Sequence, residues 1–497
     1  MVRTSQALLP RAADKLFLAP LRGLRSWILY LMAVLLFVPV YFHLGNELIR
    51  QTNLDIMASD QAANIWLARE SKSDPFPLRS SYIQPLWPWL STFVMVDDDR
   101  EYFLRGKKLN LAIGCAASLL IFVLGAANLA PVPGYMMGWV SGFAVFLQRG
   151  HFFHPEPLLY VFFAGGFALM VLSLRDTTRW YYLGWGACLG VAYLAKASVT
   201  PLLAVYAGAT GVLLLARRGW FPTWLVAAVA QSGKWSLGGH VALSVAAMAF
   251  FASIITPNAL YKLRVHDDAF FSPTKYWMWC DDWDTEAYQL HQRIWTADSR
   301  ARFAPGELPT MANYLRKHGW SHAGTRLAEG TRETVETFLL PGRRFVPAAF
   351  ILSQKGKSER GEPERVWRFV MPARGLYIAV LALLAGFLLV DRYHRDGPPL
   401  FRTPCGFAAC AYVVAMVLLF ALAFGWYAVI GRGERFGLML YVPLLVALTA
   451  AGWLVARCST RPLPRLVFSG GICIVLGHAI IQIFRLILLP NFSKNFW

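Results

Sequence analysis

The side chains of this sequence that could do chemistry are few, and they stand at the ends of long apolar runs. Glu156 follows Pro155 in HFFHPEPLLYVFFAGGFALMVLSLR (151–175), a run that closes in Arg175 with Arg179 just beyond. Asp55 and Asp60 fall after the first apolar run, Lys196 is the one charge between 180 and 215, and Arg432 and Arg435 flank Glu434 in GWYAVIGRGERFGLMLYVPLL (425–445). A carboxylate can orient or deprotonate a hydroxyl. An ammonium or guanidinium can hold a phosphate and stabilise charge that develops on it as a leaving group. Each residue also has a plainer use: Asp60 as a helix cap, Glu156 as an acid complementing a helix dipole behind a proline, Lys196 as a snorkelling anchor, the two arginines as a charged turn. His151 and His154 flank Glu156, but two histidines without a third close ligand make a weak metal signal, and they read as interfacial side chains.

The elements that must position these groups are membrane spans. Of 497 residues, 56% are hydrophobic and 15% charged, against roughly 25% charged in a soluble protein. Apolar runs of the roughly 20 residues needed to cross a bilayer recur along the chain, without the alternation of a barrel, so the spans are helices. About eleven are expected, near 26–43, 109–130, 135–149, 156–174, 181–197, 199–216, 238–256, 375–391, 405–430, 436–456 and 465–489. The third is short enough to be tilted or partly re-entrant. Arg3, Arg11, Lys15, Arg22 and Arg25 precede the first run, which lacks a small-residue cleavage site and reads as an uncleaved span. The net charge of +19 fits cytoplasmic turns against anionic lipid head groups; no aromatic-and-basic motif points to nucleic acid. The seven cysteines show neither a disulfide framework nor zinc spacing, and only Cys280 lies in a large soluble segment.

With the N-terminus inside, the turns LRDTTRW (174–180), ARRGWFP (216–222), DRYHRDGPPLFR (391–402) and ARCSTRPLPR (456–465) are cytoplasmic, and all are basic, as the positive-inside bias requires. Glu156, Asp60, Lys196 and the Arg432/Arg435 turn then share the opposite face. The reading divides the chain into an N-terminal transmembrane module (1–256) with a first external loop at 44–108, a small, mainly helical external insertion (257–374), and C-terminal transmembrane helices (375–497). The Trp- and Pro-rich SYIQPLWPWLSTF (81–93) suits short interfacial helices in the first loop.

In order and sidedness these features resemble the GT-C superfamily of integral-membrane glycosyltransferases, and within it the protein O-mannosyltransferases and lipid A aminoarabinose transferases. The residues that carry the resemblance are Asp60, SYIQPLWPWLSTF (81–93), HPEPLLYVFFAGGFAL (154–169), YLAKASVTPLL (193–203) and GRGERFGLMLYVPLL (431–445), over roughly 26–215 and 405–456. The resemblance implies an all-α GT-C fold and transfer of a sugar from a polyprenyl-phosphate donor to a hydroxyl of a lipid, glycan or protein acceptor, with inversion. It implies a bacterial inner membrane with the active site on the periplasmic or extracellular face. Asp60 would be the general base, Glu156 a second acid near the acceptor, and Lys196, Arg432 and Arg435 the donor-phosphate contacts. The loop reads SDQAAN (59–64), without the Asp-Glu or Glu-Arg pairs frequent in those two families, so Asp55 stays beside Asp60 as a candidate base. Some members use a divalent metal; no ligand set stands out here, and no cofactor is assigned. The alternative is a transporter or flippase of a lipid-linked or anionic substrate, which calls for polar or broken helices at the midplane.

The topology has a direct test. A thiol introduced at Ser358 is expected to react with an impermeant reagent in intact cells, and one replacing Thr178 is not. The reverse pattern would place the candidate site and the insertion in the cytoplasm.

Overall fold

A computed structural model of the chain describes residues 14–51, 54–57, 60–73, 83–175, 177–218, 236–339, 372–396, 404–428, 430, 434–459 and 461–488. Every regular element among them is helical. Six helices are long and apolar enough to span a membrane: Leu24–Arg50, Asp99–Asn128, Glu156–Leu174, Gly238–His266, Gly437–Cys458 and Pro462–Arg485. Shorter apolar helices cover Ala197–Val212, Arg374–Leu389 and Ala411–Tyr427. The molecule is an all-α integral membrane protein, as its composition requires.

The expected runs fall on helices. The first is split at Leu36 into α1 (Leu24–Leu35) and α2 (Phe37–Gln51). After it come two short loop helices, α3 (Gln61–Ser73) and α4 (Leu86–Ser91). The long α5 (Asp99–Asn128) begins well before its apolar portion, because Asp98 caps it by accepting the Glu101 N–H at 2.6 Å. The short third run is α6 (Pro131–Ser141), a π-helical turn (Gly142–Phe146) and α7 (Leu147–Gly150). It folds back along α5 at very close range. A Cβ on Gly134 would meet the backbone N of Ala126 at 2.5 Å, and one on Gly138 or Gly142 would strike the rings of Phe122 or Phe37. Small residues permit this approach, and nearly all of 131–150 is buried as a result. The remaining N-terminal helices are α8 (Glu156–Arg175), α9 (Arg179–Ala195), α10 (Thr200–Arg217) and α11 (Leu237–His266).

The insertion is expected to start at 257, but α11 continues through Pro257 to His266, closed by Asp267 in the left-handed region (φ 55°). Beyond it lie α12 (Thr274–Trp277), a π turn (Trp283–Ala287), α13 (Tyr288–Arg293), α14 (Ala297–Ala301) and α15 (Met311–Leu339). Phe271, Tyr276, Trp277, Cys280, Leu290 and Ile294 form a second small core, which Ile430 from the C-terminal part of the chain also enters. Among the described residues, four helices make up the C-terminal unit: α16 (Pro372–Asp396), α17 (Pro404–Tyr427), α18 (Glu434–Cys458) and α19 (Pro462–Leu488). The breaker stretches PGRR (341–344) and SERGEPER (358–365) lie outside the described residues. The insertion rests on the membrane unit through α15 and α17, whose backbones touch at Gly330 and Gly425; a Cβ on Gly330 would collide with the Gly425 carbonyl.

That contact predicts the effect of Gly330→Ala. Because the obstacle is backbone, the helices must part, which costs about 1–3 kcal/mol by overpacking. The expected readout is a lowered melting temperature in detergent and faster proteolysis of the insertion. Unchanged behaviour in both would mean that the two helices are not in contact.

Candidate functional site

Helices α8 and α9 are neighbours in sequence, antiparallel and of similar length, so the first residue of α8 is level with the residue that ends α9. Those residues are Glu156 and Lys196. Each charge suits its helix end: an acid at an N-terminus and a cation at a C-terminus. Glu156 is 1% exposed, and its Oε1 accepts from Lys196 Nζ at 3.1 Å. The two groups that sequence reasoning placed at span ends are therefore direct partners, the carboxylate buried and the ammonium partly exposed.

The loop before Glu156 is fixed from two sides. Asn110 on α5 donates through Nδ2 to the carbonyls of Phe152 (2.8 Å) and His154 (2.6 Å). Gln61, the first residue of α3, accepts the Phe153 N–H through Oε1 (3.2 Å) and donates through Nε2 to the Asp55 carbonyl (3.1 Å). The Phe153 ring packs edge-on against Trp87 and Tyr102, each with ring centres 5.4 Å away. At its other end α3 is held by Arg69, which donates to Asp99 and to the Val96 and Asp97 carbonyls at the start of α5. The first loop is thus laid against the Glu156 end of the bundle, bringing Asp55 and Asp60 with it.

Both aspartates act through their backbones as well. The Asp60 carbonyl accepts from the Asn64 N–H at 3.0 Å and from Asn64 Nδ2 at 2.7 Å, placing Asp60 at the N-cap position of α3. Asp55 is exposed and its Oδ1 accepts the Met57 N–H at 2.9 Å. Trp66 and Phe93 in the same loop are exposed, as aromatic side chains at a head-group layer are. Arg432 and the side chain of Arg435 lie outside the described residues.

The histidines differ from expectation. Instead of standing at an interface, His151 is wholly buried, with Nδ1 3.0 Å from the Leu147 carbonyl. His154 is 6% exposed, stacks on Phe152, and puts Nδ1 3.7 Å from Glu156 Oε2. They are buried because Phe153 and the Asn110 hydrogen bonds pull the whole 151–155 loop inward, a tertiary effect with no local signature.

Sequence reasoning also missed two cations. Lys107 is fully buried, with Nζ 4.6 Å from the centre of the Phe103 ring. Its spacing to Asn110 (i, i+3) on one helix face is the signal that could have found it. Arg374, in the first turn of α16, is 1% exposed, and its carbonyl accepts from the Tyr441 hydroxyl at 3.1 Å. It is an Arg at the start of an apolar run, and the charges that precede it closely, among them Arg365 and Arg368, hide it in the sequence.

Among the described residues, one group of three metal-ligand side chains converges, and it is not at Glu156. Asp281, His318 and His322 meet in the insertion. Neighbouring Cys280 turns into the insertion's core, where burial pushes its thiol up to about 12.

No protein-family model matches the sequence, and neither does any curated protein. Among solved structures, the fold is similar to the crystal structure of the Archaeoglobus fulgidus oligosaccharyltransferase in its apo form. The likeness has a TM-score of 0.45 and 12% identity, over 91% of this chain and 56% of that one. The chain therefore spans little more than half the length of that enzyme, and a likeness at this level assigns no residue.

The buried pair can be weighed by a double-mutant cycle. Removing one partner of a buried ion pair strands the other and costs about 3–5 kcal/mol. Glu156→Ala and Lys196→Ala should each lower thermal stability in detergent, and the double variant should be less destabilised than the sum of the two. Strict additivity would mean that the two charges do not interact.

Proposed function

We propose that this protein is a membrane glycosyltransferase of GT-C type that moves a sugar from a polyprenyl-phosphate donor to an acceptor hydroxyl at the Glu156 end of the bundle. The observation that carries the reading is the buried Glu156–Lys196 pair joined through Gln61 to the loop bearing Asp55 and Asp60. A transfer of this kind needs a group to take the hydroxyl proton and cations to receive the phosphate, and both kinds of group meet here. The acceptor oxygen gives its proton to a carboxylate and attacks the anomeric carbon. The bond from that carbon to the phosphate oxygen breaks, and polyprenyl phosphate leaves with the electron pair. A single displacement inverts the anomeric centre.

The geometry suggests a division of labour. The Glu156 carboxylate already has one oxygen engaged by the Lys196 ammonium at 3.1 Å. Glu156 then orients the acceptor and keeps Lys196 aimed, and the proton goes to Asp60 or to the exposed Asp55. Lys196 is partly accessible, with 23% of its side chain exposed, and can turn one proton toward a donor phosphate without leaving Glu156. Arg432 and Arg435 complete the phosphate contacts in this reading, and Arg374 is a further cation at the same end. The acceptor is a lipid, glycan or protein hydroxyl, and the setting is a bacterial inner membrane with the site facing the periplasm or exterior.

Transfer of labelled sugar from a lipid-linked donor tests the assignment. Asp60→Asn should retain the fold, since Asn caps a helix about as well as Asp, yet lose about 10²–10⁴-fold in turnover if Asp60 is the base. Asp55→Asn and Glu156→Gln are measured beside it, with binding of a polyprenyl-phosphate analogue as a second readout that Lys196→Ala and Arg435→Ala should weaken. A large loss in Asp55→Asn alone moves the base to Asp55. Full turnover in all three acid variants rules out a carboxylate mechanism.

A further inference from the structure

We propose that Asp281, His318 and His322 form a zinc-class metal site that locks the small lobe of the insertion onto its long helix. This site is separate from the proposed transfer chemistry. One ligand atom from each of the three residues lies within 4.8 Å of the others. His318 Nε2 is 3.0 Å from Asp281 Oδ2, and the two imidazoles stack with ring centres 4.8 Å apart and planes at 21°. Zinc–nitrogen and zinc–oxygen bonds of about 2.0–2.1 Å in a tetrahedron put ligand atoms roughly 3.3 Å apart. The Asp281–His318 spacing is already within a few tenths of an ångström of that value, and His322 needs to move inward by about 1.5 Å at most. Because His322 is exposed, its side chain is able to make that move.

The ligands stand on two elements that are already held against each other. His318 and His322 are i, i+4 on α15, across the kink at Gly319, whose φ of 77° and ψ of 170° break the helical path between them. Asp281 belongs to the 278–282 segment, and Arg326, 6% exposed and on the same helix, donates to the Cys280 carbonyl (2.9 Å) and the Met278 carbonyl (3.1 Å). Trp426 at the end of α17 donates to the Met278 carbonyl as well (2.7 Å). The Asp281 N–H donates to Glu286 at 2.7 Å. The carboxylate is thus presented to α15 by a backbone pinned on both sides, the outer support that metal ligands need.

Two imidazoles and one carboxylate suit zinc, with a fourth position open to water. Lys317 competes for the same place: its Nζ lies 3.2 Å from Asp281 Oδ2 and 3.3 Å from Glu286 Oε1. Metal binding would displace it from Asp281 and leave it on Glu286. A site guarded in this way binds more tightly when the lysine is removed, a result that an ordinary surface ion pair would not give.

The test uses full-length, tag-free protein in detergent, stripped with a chelator and titrated with Zn²⁺, and with Co²⁺ for its visible d–d bands. The expected result is one equivalent bound, a raised melting temperature, and a tetrahedral Co²⁺ spectrum. His322→Ala, an exposed change that leaves the core intact, should weaken binding by about 100-fold or more, beyond what loss of an outer partner causes. Asp281→Asn should do the same, and Lys317→Met should tighten binding several-fold. No stoichiometric binding by the parent protein, or binding unchanged in both ligand variants, would overturn the proposal.

Discussion

The Glu156–Lys196 ion pair is the constraint around which the rest of this end of the molecule is arranged. A carboxylate at 1% exposure is costly to bury, and its attraction to a single ammonium does not by itself offset the loss of hydration. The cost is bearable because the pair joins two helix ends whose dipoles favour those charges and because His154 and Lys196 are both at hand. The arrangement also explains why the approach to α8 is so heavily tied down. If the 151–155 loop moved, Glu156 would move with it, and a buried charge would lose its partner.

Asn110 and Gln61 carry most of that restraint, and they carry it through main-chain atoms. Three backbone groups of a five-residue stretch, the carbonyls of Phe152 and His154 and the N–H of Phe153, are held by side chains from elsewhere in the chain. A loop of irregular backbone at this depth needs such partners, since water is not freely available to it. Gln61 serves the first loop at the same time. Gln61 therefore ties the loop bearing Asp55 and Asp60 to the Glu156 loop, and under the proposed reading this tie helps to keep base and acceptor-orienting acid in register.

Much of this was legible in the sequence, and what was not has identifiable causes. Span positions follow from apolar runs, since a bilayer admits only helices of a certain length. Asp60, Glu156 and Lys196 stood out as charges beside such runs. The sequence could not show that Glu156 and Lys196 neutralise each other, because that depends on α8 and α9 being level. Nor could it show the burial of His151 and His154, which comes from Phe153 wedged among Trp87, Tyr102 and Phe103. Only the spacing to Asn110 sets Lys107 apart from Lys108 in the sequence, yet one is fully buried and the other exposed. In the insertion, His318 and His322 stand i, i+4 on one helix, but the third member, Asp281, comes from a separate segment that only the fold brings to them.

The glycine contact between α15 and α17 bears on modularity. An external domain joined only by linkers can be exchanged between relatives or excised, leaving the host spans intact. Here the longest helix of the insertion lies flush against the backbone of a membrane span, at a place where neither partner tolerates a side chain. Arg326 adds to the seam by donating to the Trp426 carbonyl at the end of that span. The natural unit of exchange is therefore not the stretch between two spans but that stretch together with α17, and a chimaera cut at the membrane surface would divide a single packed body.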